Sequence, residues 1–172
     1  MDRQTGHARS GRARPDARGG KAAEARALAT ELENQLQKHN RAYAKIVLAE
    51  IALEEKKVAA ATDLLAQARA LSDVWLRRFD LGVMYVQAGH FSEAVSELEA
   101  CEKRRGEATA LFFDDVPTLR YLATLPYWIG RAQEGLGMTG PAKTRYEAFL
   151  KLRQDAAGDA LVDDARHRAA KP

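Results

Sequence analysis

An all-α fold, an α-solenoid of stacked helical hairpins, is what this sequence predicts, and three observations predict it. From Lys21 onward the chain is rich in Ala, Leu, Glu, Lys and Arg, with apolar residues three and four apart, as in Leu28, Leu32 and Leu36 or Ile46, Ala49 and Leu53. Alternating runs of Val, Ile and Thr that would mark strands are missing from the sequence. Small residues, finally, recur at fixed offsets in three separate stretches, the signature of a repeated hairpin.

Taken in order, residues 1–20 (MDRQTGHARSGRARPDARGG) hold four Gly, one Pro and no large apolar side chain after Met1. Such a segment cannot bury enough surface to offset its ordering entropy, so a disordered basic tail is expected there, either a solvated extension or an upstream start. Six Lys/Arg face two Asp within residues 1–21, a net of +4, which leaves 21 basic and 22 acidic groups in the rest. The overall charge of +3 is therefore a property of the tail, and the body is neutral. Nucleic acid is accordingly disfavoured as a partner of the body; binding of nucleic acid or an acidic surface by the tail arginines stays as an alternative. Beyond the tail, Gly and Pro punctuate helices of about 15 residues. The expected helices run near 21–38, 40–54, 57–71, 74–88, 91–104, 118–136, 141–153 and 159–170.

The stretch from Trp75 carries Gly82, Tyr85, Gly89, Ala94, Leu98 and Cys101. Thirty-three residues upstream, Ala49, Ala52, Lys56, Ala61, Leu65 and Ala68 occupy the same slots, and 48 residues downstream Gly130, Gln133, Gly137, Ala142, Tyr146 and Phe149 do. On these residues the chain resembles the tetratricopeptide repeat, a helix-turn-helix of about 34 residues. In that pattern Gly82 and Gly130 let the second helix approach the first, Ala61, Ala94 and Ala142 sit at the tight contact, and Leu65, Leu98 and Tyr146 fill the space beside them. Departures are visible: Arg78 and Pro126 hold the usual Trp slot, Gln133 replaces an aromatic and Phe149 an alanine. The resemblance implies a right-handed solenoid with an N-terminal half-repeat at 21–38, repeats at 40–72 and 74–105, and an insertion at 106–117. A third repeat at 118–153 with a lengthened first helix and a capping helix at 159–170 complete it. Residues 78–138 also resemble the repeat-rich C-terminal regions of bacterial serine/threonine protein kinases, so a detached regulatory region of such a kinase is a further alternative.

Motifs for chemistry are weak. Gly135-Leu136-Gly137-Met138-Thr139-Gly140 spells the dinucleotide fingerprint G-x-G-x-x-G, but the strand it requires is replaced by the helical WIGRAQE. His7, His39, His90 and His167 never take metal-ligand spacing, and the pairs Asp114-Asp115 and Asp163-Asp164 lack further carboxylates at Ca²⁺-loop spacing. Cys101, the single cysteine, stands in an alanine slot and is expected to be a buried, inert thiol that forms no internal disulfide. Kinase signatures are missing from these residues. No catalytic, cofactor or metal site is expected, and no small-molecule substrate. With 30% charged residues, a mean hydropathy of −0.43 and no long apolar run, a membrane partner is not expected and a cytoplasmic location is.

Function then has to come from surface, through a protein or peptide partner. In tetratricopeptide arrays the first helix of each hairpin lines a concave groove. The resemblance places there Ile46, Glu50 and Leu53 of the first hairpin, Leu76, Phe79, Val83, Val86 and Gln87 of the second, and Tyr127, Arg131 and Glu134 of the third. The middle of this groove is apolar, which suits an apolar helix or extended segment and not a free C-terminal carboxylate. The competing expectation is that Leu111, Phe112 and Phe113 of the insertion fold back and fill the groove themselves.

Overall fold

A computed structural model describes residues 22–109, 119–153 and 158–170. The expected basic tail, the insertion residues Leu111, Phe112 and Phe113, and the helix start expected at Asp115 to Pro117 lie outside the described residues.

All regular structure among the described residues is helical. The elements are α1 (Ala22–Glu33), α2 (Lys38–Glu54), α3 (Val58–Leu71), α4 (Trp75–Ala88), α5 (Phe91–Lys103), α6 (Arg105–Thr109), α7 (Leu119–Leu122), α8 (Leu125–Gly135), α9 (Thr139–Leu152) and α10 (Ala160–Ala169). Consecutive long helices pack on each other, α1 on α2, α2 on α3, α4 on α5, α8 on α9 and α9 on α10. At the open end of the α4–α5 pair the Trp75 indole Nε1 donates to the Cys101 carbonyl at 2.8 Å. In the α8–α9 pair the rings of Tyr127 and Phe149 lie 5.5 Å apart. Between pairs, α4 packs on α2 and α3, and α8 packs on α4 and α5, so contacts run from neighbour to neighbour along the chain.

The turns show why these hairpins repeat. Lys56, Gly89 and Gly137, which share one slot of the alignment, all adopt left-handed backbone, with φ of 60°, 79° and 76°. Behind each, the following N–H reaches back to the carbonyl five residues earlier: Lys57 to Ala52 at 2.8 Å, His90 to Tyr85 at 2.9 Å, Met138 to Gln133 at 2.9 Å. Their own N–H groups bond the carbonyls of Leu53, Val86 and Glu134. This paired pattern is the Schellman motif, which satisfies the last carbonyls of a helix and turns the chain back. Glycine adopts it freely, whereas Lys56 does so at a cost of about 1 kcal/mol.

Close approach of the paired helices follows from the small slots. A methyl group added to Gly82 would sit 2.5 Å from Leu98 Cγ, and one added to Gly130 would sit 2.8 Å from the Tyr146 ring. Ala49, Ala61, Leu65, Ala94 and Leu98 are all fully buried. Two apolar clusters result, one running from Ala25 to Ala132 and one made of Tyr127, Ala142, Tyr146, Phe149, Val162 and Ala165, with the half-buried Trp128 packed against both.

One expectation is corrected. The lengthened helix over 118–136 is broken: α7 ends at Leu122, Thr124 caps the break by donating its hydroxyl to the Tyr121 carbonyl at 2.8 Å, and α8 begins at Leu125. Pro126 is the cause, since it has no N–H to donate and is favoured at the start of a helix. The insertion, expected over 106–117 to open with a short helical piece, has a helical turn there, α6, which follows α5 almost directly and buries Ala108 in the core.

Candidate functional site

The eleven residues expected on the partner face do not form one open groove. Ile46, Phe79, Val83, Val86 and Tyr127 are buried, Phe79 to 1% exposure. Phe79 stacks on Trp75 with ring centres 5.5 Å apart and meets Tyr121 of α7 at 5.6 Å. Glu50, Leu53, Leu76, Arg131 and Glu134 stay partly accessible, and Gln87 is exposed. Five of the seven apolar or aromatic positions that marked the face are thus core positions here, and on α4 Tyr121 from the far side of the 106–117 insertion packs against Phe79.

At the third hairpin the structure brings Tyr127, Arg131 and Glu134 together, around the last helix. Tyr127 donates its hydroxyl to Asp164 Oδ2 at 2.7 Å, and Arg131 Nη1 lies 3.1 Å from that hydroxyl oxygen. Arg168 bridges the cluster, donating from Nε to Asp164 and from Nη1 to Glu134, both at 2.6 Å. Glu134 also accepts the Tyr146 hydroxyl at 2.7 Å. Burial pushes both phenols up, and the carboxylates they donate to, Asp164 for Tyr127 and Glu134 for Tyr146, push them further. Burial also raises the Asp164 carboxyl, but hydrogen bonds from Arg168 and Tyr127 and the charges of Arg168 and Arg131 outweigh it, holding it below its ordinary value. Asp164 and Arg168 were not among the expected site residues; their spacing of four, which puts them on one side of a helix, was the available signal.

A second polar cluster joins the hairpins. Glu97 of α5 is 1% exposed, accepts Arg78 Nη1 at 2.7 Å and has Arg69 Nε of α3 at 2.9 Å beside its other oxygen. Arg78 also pairs with Asp73, which accepts Arg104 Nη1 at 2.6 Å, and Arg104 continues to Glu107 of α6. Arg78 thus supplies the cation that pairs with the buried Glu97 carboxylate. Sequence reasoning missed Glu97; the signal that could have found it is its place beside Leu98 on the stripe of Ala94 and Cys101.

The remaining candidates have structural roles. Cys101 is fully buried and its thiol is pushed up to about 12, by burial first and by Glu97 second, which keeps it protonated. The Gly-rich hexapeptide spans the end of α8 and the start of α9; a side chain at Gly135 would meet the Phe91 ring at 2.4 Å, and Gly137 supplies the left-handed turn. His90 lies at the α4–α5 turn, with Nε2 2.9 Å from the Thr62 hydroxyl. Among the described residues no three His, Cys, Asp or Glu side chains cluster as metal ligands would, and no helix is long and apolar enough to cross a membrane.

The chain matches no protein-family model, no curated protein and no solved structure.

Proposed function

We propose that this chain is a non-catalytic interaction module of the tetratricopeptide kind, a right-handed solenoid that holds a protein segment along the first helices of its hairpins, in the cytoplasm and without a cofactor. The observation that supports this most is the turn: three stretches aligned on small residues share one left-handed position and one pattern of capping hydrogen bonds. A unit repeated at that level of detail builds an extended surface, and extended surfaces of stacked hairpins serve binding.

Burial restricts which residues a partner could touch. An aspartate at Phe79 or Val83 would be placed in the core and would unfold the hairpin before it reported on binding. Leu53, Leu76 and Gln87 keep solvent access. Quantitative pull-down with the full chain and with Leu53→Asp, Leu76→Asp and Gln87→Lys tests the proposal. Loss of partner recovery by at least about tenfold, the equivalent of 1.4 kcal/mol, with unchanged circular dichroism is the expected outcome. Equal recovery by all three folded variants would remove this face from consideration.

A further inference from the structure

The second helices of successive hairpins are joined by charge. α3 packs on α4 and α5 packs on α8, so each second helix lies against the first helix of the next hairpin. Each also reaches the next second helix through an ion pair. Arg69 of α3 places Nε 2.9 Å from Glu97 Oε1 of α5. Glu102 of α5 accepts Arg145 of α9 at both of its oxygens, from Nη1 at 2.5 Å and from Nη2 at 2.9 Å. A two-pronged arginine–carboxylate pair is the kind of partly exposed ion pair whose geometry gives it weight, and Glu97 is removed from water almost entirely.

The offsets of 33 and 48 residues that align the three hairpins sort these residues into two slots. One slot holds Leu64, Glu97 and Arg145, and the other holds Arg69, Glu102 and Leu150. At both joints the second slot of one hairpin is paired with the first slot of the next. The sign reverses between the joints: arginine meets glutamate at the first, glutamate meets arginine at the second. The central hairpin therefore offers a carboxylate on each side, and each neighbour offers an arginine. The two slots outside these joints are Leu64 and Leu150, which carry no charge and pack against the apolar clusters instead.

Only the native order is complementary under this pattern. The first hairpin stacked directly on the third would set Arg69 against Arg145, and the central hairpin stacked on that of a second copy would set Glu102 against Glu97. The small slots do not draw this distinction, because all three hairpins share them. Opposed like charges reject a wrong neighbour where apolar contacts would accept it. We propose that the edge formed by α3, α5 and α9 is a charge-matched surface that selects which hairpin stacks on which, and that it turns away both misordered stacking within the chain and pairing of central hairpins between copies. This goes beyond partner binding and requires only that the hairpins stack.

The test reverses the second joint in the full chain. Glu102→Arg or Arg145→Glu alone sets like charges together and should lower the melting temperature by about 2 to 4 °C or more. Glu102→Arg/Arg145→Glu restores an opposite pair and should recover at least about half of the summed loss. That double variant keeps both native joints complementary, yet it also makes the first hairpin fit the third and the central hairpin fit its own copy. Refolded from urea at rising protein concentration and followed by size exclusion with light scattering, it should give larger species that the parent does not give. Arg69→Glu/Glu97→Arg serves as the control and should show no recovery, since Arg78 would then face an introduced arginine. Single variants as stable as the parent would overturn the proposal, as would a double variant that recovers nothing or does not fold. A double variant that recovers and refolds to the same species as the parent would overturn it too, because the charges would then stabilise without selecting.

Discussion

The central hairpin, α4–α5, and the C-terminal assembly of α8, α9 and α10 use the same slots to opposite ends. In both, a glycine on the first helix faces a large residue on the second: Gly82 meets Leu98, and Gly130 meets Tyr146. Leu98 completes an apolar contact. Tyr146 brings a hydroxyl that needs an acceptor, finds Glu134, and Glu134 in turn holds Arg168 of the last helix. One residue type at one slot thus converts a sealed contact into a polar seam on which another helix can dock. Buried hydroxyls require partners, whereas buried methyl groups require only volume.

The comparison breaks most severely at the central contact. Ala94 is fully buried one helical turn before Leu98, the residue that meets Gly82, so Ala94→Leu should destabilise the chain by about 1 to 3 kcal/mol or more through overpacking. Ala100, half-buried on α5 and outside the small slots, should take the same change with much less loss. Thermal unfolding followed by circular dichroism separates them, and equal melting temperatures for the parent and Ala94→Leu would mean that the slots are misassigned.

Acid should separate the two regions next. The Asp159 and Asp164 carboxyls lie below their ordinary value of 3.8; burial opposes this in both. At Asp159 the Leu161 N–H and Arg153 outweigh it, and at Asp164 the bonds from Arg168 and Tyr127 do. A carboxyl depressed on folding contributes its full stability above its unfolded value, near pH 4, and loses it as pH falls through the lower folded value. Below about pH 4, therefore, amide hydrogen exchange in α10, corrected for its intrinsic pH dependence, should accelerate before that of α4 and α5. The central hairpin has a depressed carboxyl too, Asp73, but its side chain is 58% exposed and contributes little. Simultaneous opening of all three helices would erase the distinction drawn here.

The smallest effect concerns what all the hairpins share. Lys56 is the only non-glycine with positive φ among the described residues. Lys56→Gly should raise stability by up to about 1 kcal/mol, and Gly89→Lys should lower it by a similar amount. Chemical denaturation at neutral pH measures both, and a destabilised Lys56→Gly would show that the turn does not have the shared geometry.

What could be read from the sequence was whatever is decided within one hairpin. Apolar spacing placed the helices, Gly89 and Gly137 marked the reversals, and the small slots at Gly82, Ala94, Gly130 and Ala142 identified the close contacts, because each depends on neighbours within about 34 residues. Even the odd Arg78 was visible as a departure, though not its answer in Glu97. Exposure of the partner face was different. Phe79 was assigned to the partner face from its own hairpin, and Tyr121 meets it from beyond the insertion. Tyr127, Arg131 and Glu134 likewise read as open until α10, more than twenty residues on, lays Asp164 and Arg168 across them. Periodicity states which side of a helix is apolar; which other helix arrives to cover it is settled by packing between distant segments, and only the tertiary structure carries that.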